Sequence, residues 1–238
     1  MSVMKYVKDK IDDFEDGKVF DYNSFSIDKS KMLALSKALS RLFKSGKIKR
    51  LKKGLYYKPK KTKYGELMPD EKEILRNILY KNKKRIGYLT GVKLYNRLGL
   101  TTQIANEYQI AVNKFKKDIK MKKVKINFTK VNTPINKKNY RMLQYLDVLK
   151  NIKKIPGSSK NTAYIKIKNI ILNLKTKEIN RMIELADYYR AGTNALLGTI
   201  LQDRKDIDLN KLEIRLSPFS NYKYNIVDIK NKKRWMIA

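Results

Sequence analysis

The chain has 238 residues, of which 56 are Lys or Arg and 22 are Asp or Glu, giving a formal net charge of +34, and it contains neither cysteine nor histidine. The missing thiols and imidazoles exclude disulfides, Cys/His metal sites and Ser-His-Asp or Cys-His nucleophiles, leaving carboxylates with a divalent ion, Lys, Tyr or Ser for any catalysis. An isoelectric point near 10.1 implies attraction to polyanions, either nucleic acid or an acidic membrane surface. No run of about eighteen apolar residues exists, and residues 1–16 carry acids where a signal peptide would be basic and then apolar, so a cytoplasmic protein is expected.

In chain order, Val3, Val7, Ile11 and Phe14 recur at helical spacing and predict a first helix ended by Gly17. Val19 and Phe20 suit a short strand, and Asp21 is placed to cap a brief second helix carrying Phe25 and Ile27. Ser30 is placed to cap a third helix that Gly46 terminates. Met32, Leu35, Leu39 and Leu42 share its apolar face, while Lys31, Ala34, Lys37, Arg41 and Lys44 fall opposite.

Residues 44–63 then hold ten Lys or Arg and no acid. Apolar runs at 48–51 and 55–57 flank a Lys52-Lys53-Gly54 turn, which predicts a cationic hairpin. A helix followed at once by a basic hairpin is the arrangement of a winged helix-turn-helix, whose helix enters the major groove while the wing grips phosphates. On this reading Ser30, Lys31, Ala34, Lys37 and Arg41 face the bases, and Lys49, Arg50, Lys52 and Lys53 hold the backbone. A solvated helix face would carry the same lysines; the adjoining wing favours DNA.

The expected fold class is mixed α/β (α+β): a winged helix-turn-helix over residues 1–60, a linker at 61–69, and a larger mixed α/β domain over 70–238. Helices are predicted at 70–80, 92–98, 140–151, 177–188 and 194–203. Strands are predicted at 108–112, 124–128, 163–167, 212–216 and 224–229, with a loop at 156–159. The stretch 114–125, with seven Lys against Asp118, is a second candidate polyanion surface or a solvated hairpin.

The segments GLYYKP and KYGEL, then GYLTGVKLYNRLGLTTQIANEYQIAVNK, and finally YYRAGTNALLG, LEIRLSPFSNYKYNI and RWMI, together resemble the AbiEi-type antitoxins and transcriptional regulators of type IV (AbiE) toxin–antitoxin systems. The resemblance implies a winged helix that represses its own operon at inverted repeats in double-stranded DNA, and a C-terminal domain that counters a nucleotidyltransferase toxin. It implies no cofactor and no catalytic residue. Tyr95, Asn96, Arg97, Leu98, Gly99 and Leu100 match a signature of that family. A competing enzyme reading takes Gly192-Thr193 as a phosphate turn and Asp206, Asp208 and Asp228 as ligands for two Mg²⁺ ions in a nucleotidyltransferase acting on RNA. A general nucleic-acid-binding protein would carry the same charge.

Overall fold

In the computed structural model, which describes residues 1–120 and 124–238, Ser2 caps the first helix, α1 (Val3–Asp12), by accepting from the Lys5 amide at 3.2 Å. The Lys58 ammonium closes its other end, donating to the Asp12 and Phe14 carbonyls at 2.9 and 2.6 Å. Strand β1 (Val19–Asp21) follows. The expected second helix is reduced to one 3₁₀ turn, Tyr22–Ser24, which Asp21 does cap through the Asn23 amide at 2.9 Å. Phe25 then continues as extended chain, because its ring is drawn into the core beside Phe14 and Phe20, at 6.2 and 5.9 Å between centroids.

Helix α2 (Met32–Lys44) buries Leu35, Ala38, Leu39 and Leu42 against Val7 and Ile11 of α1. Each fully buried aliphatic chain there is worth about 1.5–3 kcal/mol. Strands β2 (Lys49–Lys52) and β3 (Leu55–Tyr57) form the expected hairpin, and the antiparallel sheet runs β1-β3-β2. Its turn needs Gly54, whose φ is +79°.

Residues 61–69, expected to be a linker, are largely a second hairpin of β4 (Lys60–Thr62) and β5 (Gly65–Leu67). Helix α3 (Glu71–Leu79) buries Ile74 and Ile78 and packs on β1. It therefore belongs with the N-terminal unit: the chain divides into residues 1–84 and 85–238. A short two-stranded ribbon of β6 (Tyr80–Lys81) and β7 (Lys84–Arg85) follows α3 in the chain.

The second unit has a four-stranded mixed sheet. It comprises β8 (Gly87–Thr90), then α4 (Val92–Arg97), β9 (Glu107–Val112), β10 (Ile119–Lys120) and β11 (Lys125–Lys130), in the order β10-β11-β9-β8. β9 and β11 are parallel; the other pairs are antiparallel. Of the basic stretch 114–125, Lys120 of β10 pairs with Lys125 of β11, and residues 121–123 lie outside the described residues.

Helices α5 (Tyr140–Asn151), α6 (Lys160–Leu172), α7 (Thr176–Leu185), α8 (Ala191–Leu201) and α9 (Asn210–Glu213) complete it. The segments 163–167 and 212–216, expected as strands, lie within α6 and across α9, and 224–229 forms no strand. Residues 193–201 of α8 are all buried, so this helix is the centre of the unit. Among the described residues no helix is long and apolar enough to cross a membrane.

Candidate nucleic-acid interface

The exposed face of α2 carries Ala34, Lys37, Arg41 and Lys44, with Lys31 immediately before it. Ser30 makes no cap: it lies in a 3₁₀ turn, Lys29–Lys31, and Lys31 takes the N-cap position without a side-chain bond. Met32 is also misplaced by its spacing. It is 38% exposed and Leu33 is 68% exposed, so the first turn of α2 presents apolar as well as cationic surface.

The cations of the β2–β3 hairpin divide by partner. Lys49 holds Glu66 of β5 at 2.9 Å, and the Arg50 guanidinium lies 4.7 Å from the centre of the Phe43 ring, which lays β2 along the end of α2. Lys52 and Lys53 are exposed at the turn. Among the described residues Lys31, Lys37, Arg41, Lys52 and Lys53 pair with no carboxylate. Elsewhere in the unit Lys18 is bound to Glu73 at 3.3 Å, Lys47 to Asp12 at 2.6 Å and Lys58 to Asp16 at 3.8 Å. Among the described residues the cations on α2 and the β2–β3 turn share this lack of an ion pair with Lys5, Lys8 and Lys10 of α1 and with Lys60 and Lys61.

The β4–β5 hairpin adds Lys60, Lys61 and Lys63, with Tyr64 87% exposed at its tip. The sequence counts these lysines in the cationic run 44–63, but two prolines and Gly65 make 61–69 look like a linker rather than a hairpin. The signal was present in Thr62, which accepts from the Tyr64 amide at 3.2 Å and donates to the Gly65 carbonyl at 2.8 Å, bracing a tight turn.

The residues of the enzyme reading do not converge. Arg204 holds Asp206 at 2.7 and 2.8 Å and Thr176 donates to it at 2.7 Å, and these bonds keep its carboxyl well below the usual range. Asp208 caps the Asn210 amide at 2.9 Å. Gly192 faces the Tyr222 and Tyr224 rings rather than an open phosphate turn, and among the described residues no group of three carboxylates could hold a metal ion.

The family of unknown function DUF6088 matches residues 6–182 of this chain. No curated protein matches it. The crystal structure of the RV2827C protein from Mycobacterium tuberculosis is similar over 91% of this chain and 82% of that one, at 10% identity and a TM-score of 0.48.

Proposed function

Since this chain belongs to the DUF6088 family, whose function is unknown, we propose from its own residues that it is a cytoplasmic, DNA-binding autorepressor built on an N-terminal winged helix-turn-helix. The single observation carrying this reading is the set of carboxylate-free cations on α2 and the β2–β3 turn. The strand order β1-β3-β2, entered from α2, supports a helix in the major groove with the hairpin against the backbone. The antitoxin role, opposing a nucleotidyltransferase toxin, rests on the AbiE resemblance of the motifs alone.

Fluorescence anisotropy with a duplex from upstream of the chain's own gene tests this at several salt concentrations. Lys52→Ala with Lys53→Ala should lower the slope of log K against log salt by about 0.9 for each phosphate no longer neutralised, while sequence preference survives. Lys37→Ala or Arg41→Ala should relax preference at one half-site position, at a cost of about 1–3 kcal/mol. Lys49 and Arg50 should matter less, because one is already ion-paired and the other rests on an aromatic ring. An unchanged slope together with no preferred duplex would remove the repressor reading. For the antitoxin role, the variant lacking all four cations at 37, 41, 52 and 53 should lose operator binding yet still rescue growth against the toxin.

A further inference from the structure

The exposed face of α2 changes chemistry along its length. Leu33, Lys37, Ser40 and Lys44 follow one another at three- and four-residue steps, with Ala34 and Arg41 beside them, and all of these residues are exposed. From Lys37 onward the face is cationic and hydroxylic. Its first turn offers only carbon: Leu33 is 68% exposed, and Ala34 stands next to it.

The fold itself gives Leu33 nothing to pack on. The apolar core that α2 joins takes in Leu35, Ala38, Leu39, Leu42 and Phe43 and leaves Leu33 outside. Single exposed leucines are ordinary on protein surfaces; this one is set apart by its place, one turn before Lys37 and two before Arg41 on the same face. Neither of those cations is ion-paired among the described residues, so an apolar head and a cationic tail are offered to one partner. On the winged-helix reading, on which this inference rests, that partner is duplex DNA, with the N-terminal residues of α2 nearest the base edges. A leucine side chain can neither donate nor accept a hydrogen bond, so phosphates and the polar edges of bases offer it nothing. The major groove displays one apolar group, the C5-methyl of thymine.

We propose that Leu33 packs on the C5-methyl of a thymine in the half-site and makes that base part of the preferred sequence. Lys37 lies four residues on, about 6 Å along the helix at 1.5 Å per residue, which is about two base-pair steps of 3.4 Å. The thymine therefore stands within about three base pairs of the position that Lys37 reads.

Fluorescence anisotropy on the preferred duplex, with each thymine of a half-site replaced in turn by deoxyuridine, tests the assignment, because the replacement removes the methyl and leaves pairing and charge intact. At one position the native chain should bind about three- to fivefold more weakly, as the loss of one buried methyl predicts, with an unchanged slope of log K against log salt. Leu33→Ala should bind the thymine and deoxyuridine duplexes alike at that position. It should keep the native salt slope and, because the side chain is exposed, the native melting temperature. Lys37→Ala should retain the methyl effect. Failure to find any preferred duplex would remove the repressor reading and this inference with it. Given a preferred duplex, a half-site without thymine, indifference to deoxyuridine at every position, or a methyl effect that survives Leu33→Ala in full would overturn the inference and leave DNA binding standing. A lower mass of Leu33→Ala than of the native chain in sedimentation would overturn it as well, since the leucine would then lie between two copies.

Discussion

Glu73 joins two cations and one backbone amide in the N-terminal unit. Arg76 grips it at 2.8 and 3.0 Å, Lys18 stands at 3.3 Å, and the Val19 amide donates to it at 3.3 Å, tying α3 to β1. Burial alone would raise its pKa, but Arg76, the Val19 amide and Lys18 together hold it below its ordinary 4.5. A depressed carboxylate stabilises the fold fully above its unfolded value and loses that contribution as pH falls through the folded one. Glu73→Gln should therefore cost on the order of 1 kcal/mol at pH 7, with the gap from the native protein narrowing below pH 4.5. Urea midpoints at pH 7, 5 and 3 check this, and a gap that does not change with pH would contradict it. Nothing about Glu73 was visible in the sequence, since its partner Val19 is 54 residues away. The same blindness affected Met32: its spacing fits the apolar stripe of α2, but α1 covers that stripe only from Leu35 onward. Ser30 had the right chemistry for a cap in the wrong place, because the chain spends residues 29–31 on a 3₁₀ turn.

Helix α8 has no polar face to expose, and its tightest point is Gly198, against which the Trp235 ring lies directly. Alanine improves helix propensity over glycine by about 1 kcal/mol, yet its methyl would have to occupy space already filled by the indole. Overpacking of this kind costs about 1–3 kcal/mol, and the ring cannot withdraw easily because its Nε1 donates to Gln202 Oε1 at 3.2 Å. Gly198→Ala should thus be destabilising in denaturant melts, with a red shift in emission from Trp235, the chain's single tryptophan. A stabilised protein with unchanged emission would show that the indole has room to move. Elements with clear periodicity and capping were legible: α5, α7, β9 and the β2–β3 hairpin lie close to where their patterns put them. Those with ambiguous patterns were not. Alternation in Ala163–Tyr164–Ile165–Lys166–Ile167 imitates a strand, but Ser159 caps the segment at the Thr162 amide and burial falls on Ala163, Tyr164, Ile167 and Ile171, which is a helical rhythm. Strand β8 gave no alternation because all four of its residues are buried. Around Tyr224 the chain turns through Asn225 at φ +54° and cannot continue as a strand.

Across the molecule, 23 of the 56 basic and 11 of the 22 acidic residues lie in residues 1–84, so the C-terminal unit carries the larger positive excess. The boundary between units was the feature hardest to read, because prolines and low apolar content at 58–69 describe a hairpin as well as a linker. A fragment of residues 1–84 should unfold in one cooperative urea transition. A fragment of residues 1–60 lacks Ile74 and Ile78, each worth about 1.5–3 kcal/mol when buried, and should melt at a markedly lower urea concentration; equal midpoints would return α3 to the second unit. The seat of Trp235 on Gly198 carries one more consequence, for the order of events on the ribosome. The first unit has every residue of its core in hand once residue 84 has been made. The second has a void over its central helix until Trp235 has been made, so it closes only after its predecessor has been free to fold.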